Sequence, residues 1–221
     1  MTRTLEIETP RGTARTHLHP ASDPSAALVM GHGAGGGVEA PDLLAARDAA
    51  LAERVSVALV EQPYRVVGRR SPPSANTLDE AWLTVIEHLR AGELADLPLI
   101  VGGRSLGARV ACRSAEAAGA VGVLCLAFPL QPPRRAAAAA TQSRLSELER
   151  VTVPTLVVQG ARDPFGMPPP SASRTVVRVE GDHSLRTDLD AVEAAVRSWL
   201  PSVVAQAARA PRAEPSPQAN R

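Results

Sequence analysis

Residues 97–118 read LPLIVGGRSLGARVACRSAEAA, and the organisation of the chain follows from them. A short apolar run, LPLIV, suits a buried strand. It leads straight into Gly103-Arg104-Ser105-Leu106-Gly107, a G-x-S-x-G pentapeptide, and then into an Ala-rich stretch of helical character, residues 105–118. A serine between a strand and a helix sits on a very sharp turn, which lifts its hydroxyl clear of the sheet. The flanking glycines let strand and helix approach without Cβ clashes. The helix N-terminus favours negative charge on an oxygen beside it. Ser105 is therefore the candidate nucleophile. The competing reading is a serine that merely caps a helix after a glycine turn.

Outward from this centre, strands and helices alternate. Residues 4–9 and 14–19 alternate in polarity around Pro10-Arg11-Gly12 and read as a hairpin. Continuous apolar strands are expected at 26–30, 55–60, 97–101, 121–127, 153–159 and 174–180, with helices at 41–53, 78–92, 105–118, 143–150 and 187–200. The expected cap of the second helix is Asn76 or Thr77. Such a pattern predicts an α/β fold: a mostly parallel central sheet of about eight strands with helices on both faces. About 20 residues separate the strands ending near Phe128 and beginning after Thr152, which leaves no room for a large lid domain. The α/β domain is expected over 1–200. Residues 201–221, rich in Pro, Ala and Arg, are expected to form a flexible tail, mobile from about Pro211. The alanine run 136–140 reads as a helix start or a loop.

Composition narrows the function classes. The chain has 221 residues, 44% hydrophobic and only 2% aromatic, so Val, Leu, Ile and Ala must build the core. Net charge is +1, which offers no electrostatic footprint for nucleic acid. All 24 basic residues are arginine. This compositional bias discounts any single Arg as a functional signal. No apolar run approaches a membrane span of about 18 residues. The first residues, MTRTLEIETPRG, lack the apolar run of a signal sequence. A cytoplasmic location with no membrane partner is the expectation. Cys112 and Cys125 read as reduced core residues. His17 and His19 share a strand face without further ligands and read as surface residues, so no metal site is expected.

The remaining chemistry lies at strand ends. Gly31-His32-Gly33-Ala34-Gly35-Gly36-Gly37 follows the third strand, where a backbone N–H can hold an oxyanion. Ala34 is the expected donor, with Gly33 its rival, and Leu106 supplies the second N–H. A flexible turn or an anion-binding loop is the alternative, although no phosphate-loop signature is present. His183, in EGDHS, is the only histidine after Ser105 and is the expected base. Six carboxylates lie between them: Glu116, Glu147, Glu149, Asp163, Glu180 and Asp182. The three earliest or helical glutamates, Glu116, Glu147 and Glu149, face the wrong setting. Glu180 ends a strand, and Asp182 adjoins His183 too closely to reach its ring. Asp163 is on a separate loop just past a buried strand and is the expected acid. Such a set needs no cofactor. Its partner would be a small-molecule substrate.

With these motifs in place, the chain resembles the α/β-hydrolases. Segments 31–35, 61–73, 103–107, 128–133, 154–166 and 181–184 are similar to a group of bacterial members related to the testis-expressed and NSL-complex subunit 3-like proteins of animals. EQPYRVVGRRSPP, FPLQPP and QGARDPFG are the specific parts; a distant similarity to dienelactone hydrolases is also evident. The resemblance covers about residues 20–200 and implies the same roles for Ser105, Asp163 and His183. It departs in three places. Gln131 stands where the group often has histidine, the oxyanion loop is GHGAGGG, and serine replaces the cysteine nucleophile of dienelactone hydrolases. Tyr64 and Arg70, with Gly33, are candidate substrate contacts, and a salt-bridged surface loop is the competing reading for the arginines. The expectation is hydrolysis of a small carboxylic ester or thioester. Amide or peptide hydrolysis, acyl transfer, and a non-catalytic interaction module on the same scaffold are the alternatives.

Overall fold

The structure, a computed structural model, describes residues 2–132 and 143–209. Eight strands form one sheet in the order β1-β2-β4-β3-β5-β6-β7-β8. β1 (Arg3–Thr9) and β2 (Gly12–His19) make the antiparallel hairpin, and β2 also runs antiparallel to β4. β3 (Ala26–Gly31), β4 (Val55–Glu61), β5 (Leu99–Arg104), β6 (Gly122–Leu126), β7 (Thr155–Gly160) and β8 (Arg174–Val179) are mutually parallel.

The parallel strands are apolar throughout because both faces are covered, and their side chains alternate between two cores. Ala27, Val29, Val101, Val123, Cys125 and Val157 enter one. Leu28, Met30, Ile100, Leu124, Leu126, Leu156 and Val158 enter the other. The first core is closed by α3 (Ala75–Ala91), α4 (Leu106–Ser114) and α5 (Leu145–Glu149), the second by α1 (Pro41–Ala52) and α6 (Leu189–Arg209). α3 buries Leu78, Trp82, Val85, Ile86 and Leu89, a stripe at helical spacing. Burial of each large side chain stabilises the fold by about 1.5–3 kcal/mol.

Three local expectations are corrected. The cap of α3 is Ser74, whose Oγ accepts the Thr77 N–H at 3.4 Å, rather than Asn76 or Thr77. Pro72 and Pro73 cannot continue a helix backwards, and Ser74 takes the extended backbone (φ −61°, ψ 159°) that a cap requires. A four-residue helix, α2 (Pro63–Val66), interrupts the loop after β4, started by Pro63 at its first position. The last helix continues past Leu200 to Arg209, because Val203 still finds a buried place beside Gly122 of β6. The expectations for the alanine run 136–140 and for residues 210–221 lie outside the described residues. Only 18 positions, 127–144, join β6 to α5, so the fold has no large lid domain. Among the described residues, no helix is long and apolar enough to cross a membrane.

Candidate active site

The chain leaves β3 for β4 on one side and then crosses to β5 on the other. Between β3 and β5 the sheet therefore has a topological switch point, where ligands bind outside the carboxyl ends of strands. The glycine-rich loop follows β3, and Ser105 follows β5. Both elements flank this crevice.

Ser105 is the N-cap of α4 and has φ 52°, ψ −106°, an unfavourable backbone for a residue with a Cβ. Close packing imposes that turn. A Cβ on Gly107 would come within 2.2 Å of the Gly31 carbonyl oxygen, and one on Gly103 within 2.5 Å of the same atom. The Ser105 N–H donates to the Leu126 carbonyl at 2.9 Å, tying the turn to the next strand.

His183 lies on the loop after β8. Its Nε2 is 2.9 Å from Ser105 Oγ, and its Nδ1 is 2.8 Å from Asp163 Oδ2. The Asp163 side chain is only 1% exposed. Its Oδ2 also accepts from Gln159 Nε2 at 2.8 Å, and its Oδ1 accepts from the Phe165 N–H at 2.9 Å. Phe165 stands edge-on to the His183 ring, with centroids 4.5 Å apart. Three distant segments, 105, 163 and 183, thus meet in one line of hydrogen bonds. Three of the other carboxylates are engaged elsewhere, Glu147 with Arg109 and Arg113, Glu180 with Arg162, and Asp182 with the Ser184 N–H and hydroxyl, while Glu116 and Glu149 are exposed.

The loop after β3 is held from within. His32 is buried; its Nδ1 donates to the Gly33 carbonyl at 2.8 Å, while its Nε2 accepts the Gln62 N–H at 3.1 Å. An acceptor at Nδ1 and a donor at Nε2 fix the neutral form with the proton on Nδ1. Burial, the largest cause, also lowers the pKa of this imidazole below its ordinary value. The Gly33 carbonyl additionally accepts the Gly36 N–H at 3.2 Å. In a trans peptide the N–H opposes the carbonyl, so the Ala34 N–H points away from these two donors. The Ala34 carbonyl accepts from the Tyr64 hydroxyl at 2.8 Å. Leu106, at the first position of α4, has an N–H with no intrahelical acceptor.

Tyr64 is therefore buried as a prop of the glycine loop, and desolvation pushes its pKa up to about 12. It also forms one wall of a groove of about 570 Å³, with Arg11, Gln62, Val67, Arg69 and Thr77. None of Ser105, Asp163 and His183 lines that groove, and the exposed Arg70 does not either. His17 sits near Glu61, and His19 near Thr2, both half-buried on the hairpin. Cys112 and Cys125 are free and buried, with sulfurs 3.5 Å apart.

Two residues at the site escaped the sequence reading. Gln159, fully buried, grips Asp163; its only signal was a polar side chain at the end of an apolar strand. Arg104, inside the pentapeptide, was obscured by the abundance of arginine.

The family model for the alpha/beta hydrolase domain matches residues 24–208. No curated protein matches this chain in sequence. Among solved structures, a lidless α/β serine hydrolase of Xanthomonas campestris is 21% identical, with 90% of this chain and 95% of that one covered and a TM-score of 0.67. Est1E of Butyrivibrio proteoclasticus is 15% identical, with coverage of 91% and 99% and a TM-score of 0.72. A dienelactone hydrolase of Anabaena variabilis is 14% identical, with coverage of 91% and 97% and a TM-score of 0.70. With a matching domain model over most of its length and this topology, the chain belongs to the α/β-hydrolase family.

Proposed function

We propose that this hydrolase cleaves a small carboxylic ester or thioester through a Ser105–His183–Asp163 triad and an acyl-enzyme intermediate. The observation that carries the proposal is the unbroken line from Ser105 Oγ through His183 to Asp163, with both links inside the 2.6–3.2 Å range of hydrogen-bond reach. His183 Nε2 takes the hydroxyl proton as Oγ attacks the carbonyl carbon. Asp163, as a carboxylate, accepts from Nδ1–H, so Nε2 is the basic nitrogen, and it stabilises the imidazolium that forms. The N–H groups of Ala34 and Leu106 hold the oxyanion, each such donor being worth about 10²–10³ in rate. His183 then protonates the leaving group and activates the water that frees the acyl group.

Amide hydrolysis and acyl transfer share the first half-reaction, so the acceptor and leaving group separate them. A non-catalytic interaction role on this scaffold is the reading that would replace catalysis. A fluorophosphonate probe with intact-mass readout tests the proposal without knowledge of the substrate. One adduct on the wild-type protein, absent from Ser105→Ala, is the expected result. No adduct on folded wild-type protein would overturn it.

A further inference from the structure

Arg104 occupies the second position of the G-x-S-x-G turn, beside the nucleophile, yet its side chain turns inward and is only 19% exposed. Its guanidinium meets three separate segments. Nη2 donates to the His183 carbonyl oxygen at 3.1 Å. Nε stands 2.9 Å from Asp42 Oδ2, an ion pair that leaves this buried oxygen without an aligned hydrogen bond. Nη1 fills the space beside Gly33, where a Cβ would come to 2.7 Å of it and to 3.7 Å of Ser105 Cβ. Asp42 is wholly buried in the first turn of α1, and its Oδ1 accepts the Leu43 N–H at 3.1 Å.

A buried carboxylate costs several kcal/mol of desolvation unless a charge and hydrogen bonds answer it. Burial raises the pKa of Asp42, and Arg104 opposes that rise. Asp42 contributes nothing to the Ser105–His183–Asp163 line, so its retention in the core asks for another explanation. The guanidinium supplies one, since a single planar fork pairs with Asp42, donates to the His183 carbonyl and places Nη1 beside Gly33.

We propose that Arg104, anchored by Asp42, is a positioning residue that locks the His183 loop and the Gly33–Ala34 loop against the Ser105 turn. It touches no reacting atom. Its action is geometric: the backbone of the base is tied to the backbone of the nucleophile through one side chain, and the same side chain sets the floor of the glycine loop. The inference deepens the proposed hydrolase reading and rests on it for the catalytic consequence only. The predicted effect on loop order stands apart from activity. It also accounts for glycine at position 33, since any larger residue would displace Nη1.

The experiment pairs hydrogen–deuterium exchange with kinetics on p-nitrophenyl acetate, for the wild type, Arg104→Met, Arg104→Lys and Gly33→Ala. In Arg104→Met, exchange over residues 180–187 and 31–37 should rise about tenfold while β3 and β5 stay protected, because the loops open locally. Its kcat should fall about 10²-fold with KM within about threefold, the scale set by a misplacement of about 1 Å. Arg104→Lys keeps the charge but reaches only one of the two oxygens, and should recover less than about tenfold of that loss. Gly33→Ala should reproduce the loosened His183 loop with Arg104 present, and covers the case in which Arg104→Met fails to fold. Unchanged exchange over 180–187 in folded Arg104→Met, or in folded Gly33→Ala if the former does not fold, overturns the proposal. So does full recovery by lysine. A wild type inert to the ester and to fluorophosphonate defeats the hydrolase reading instead, and the exchange data still decide whether the clamp exists.

Discussion

Ser105 combines a hydrogen bond to His183 with an unfavourable backbone. At φ 52° a residue with a Cβ stores about 1–3 kcal/mol of strain, which the packing of Gly31 against Gly103 and Gly107 sustains. Replacing the serine by glycine removes both the hydroxyl and the strain. Ser105→Gly should therefore be more stable than Ser105→Ala by about 1 kcal/mol in urea unfolding, with both unreactive to fluorophosphonate. Equal midpoints would show that the turn is unstrained. His32 carries the second prediction at this scale. Its pKa in the folded protein is below the ordinary 6.5, chiefly through burial, so the unfolded chain takes up a proton first as pH falls. The stability contributed by the neutral imidazole is complete above about pH 6.5 and is lost as pH drops toward the lowered folded value. Protonation would also turn Nε2 into a donor facing the Gln62 N–H. Urea midpoints measured from pH 8 to pH 5 should decline more steeply for the wild type than for His32→Gln. Parallel declines would remove His32 from the account.

Single elements reach the site by different routes. The turn from β5 to α4 is legible locally, since an apolar run, two glycines and a serine specify it together. Its tightness is a property of two elements, because Gly107 of α4 lies against the end of β3. Gly107→Ala, harmless in an isolated helix, should cost about 3 kcal/mol here, the upper range of overpacking, and lower the thermal midpoint accordingly. A variant as stable as the wild type would mean that α4 can retreat from β3 without penalty. The loop after β4 behaves differently. Proline starts α2 within it, and Ser74 ends it as a cap, while Tyr64 folds inward to reach Ala34. An aromatic residue followed by arginines looks like a surface contact along the chain, and becomes a prop only when β3 and β4 lie side by side.

Across the whole molecule, two cores of alternating strand residues cover both faces of the sheet, and the site occupies the point where chain direction across the sheet reverses. α6 closes the second core, and Val203 makes its last turns part of the domain. Its Cγ1 would lie 2.8 Å from a Cβ on Gly122. Val203→Ala should reduce stability by about 2 kcal/mol, from lost burial and the cavity left behind. Urea unfolding checks this, and no change would place the end of the folded domain at Leu200.

By itself, the sequence determined the alternation of buried strands and covering helices and the serine turn, and it singled out Asp163 and His183, which the structure brings into one hydrogen-bonded line with Ser105. Those features depend on local periodicity, on glycine at tight turns, and on chain order at strand ends. Tertiary structure alone decided which side chains hold these three in place. Gln159 meets Asp163 because β7 ends beside the loop it feeds, and Arg104 meets Asp42, Gly33 and His183 across gaps of 62, 71 and 79 positions. Contacts between segments so distant leave no period and no spacing in the chain. They arise only once the sheet has brought its strand ends to one edge.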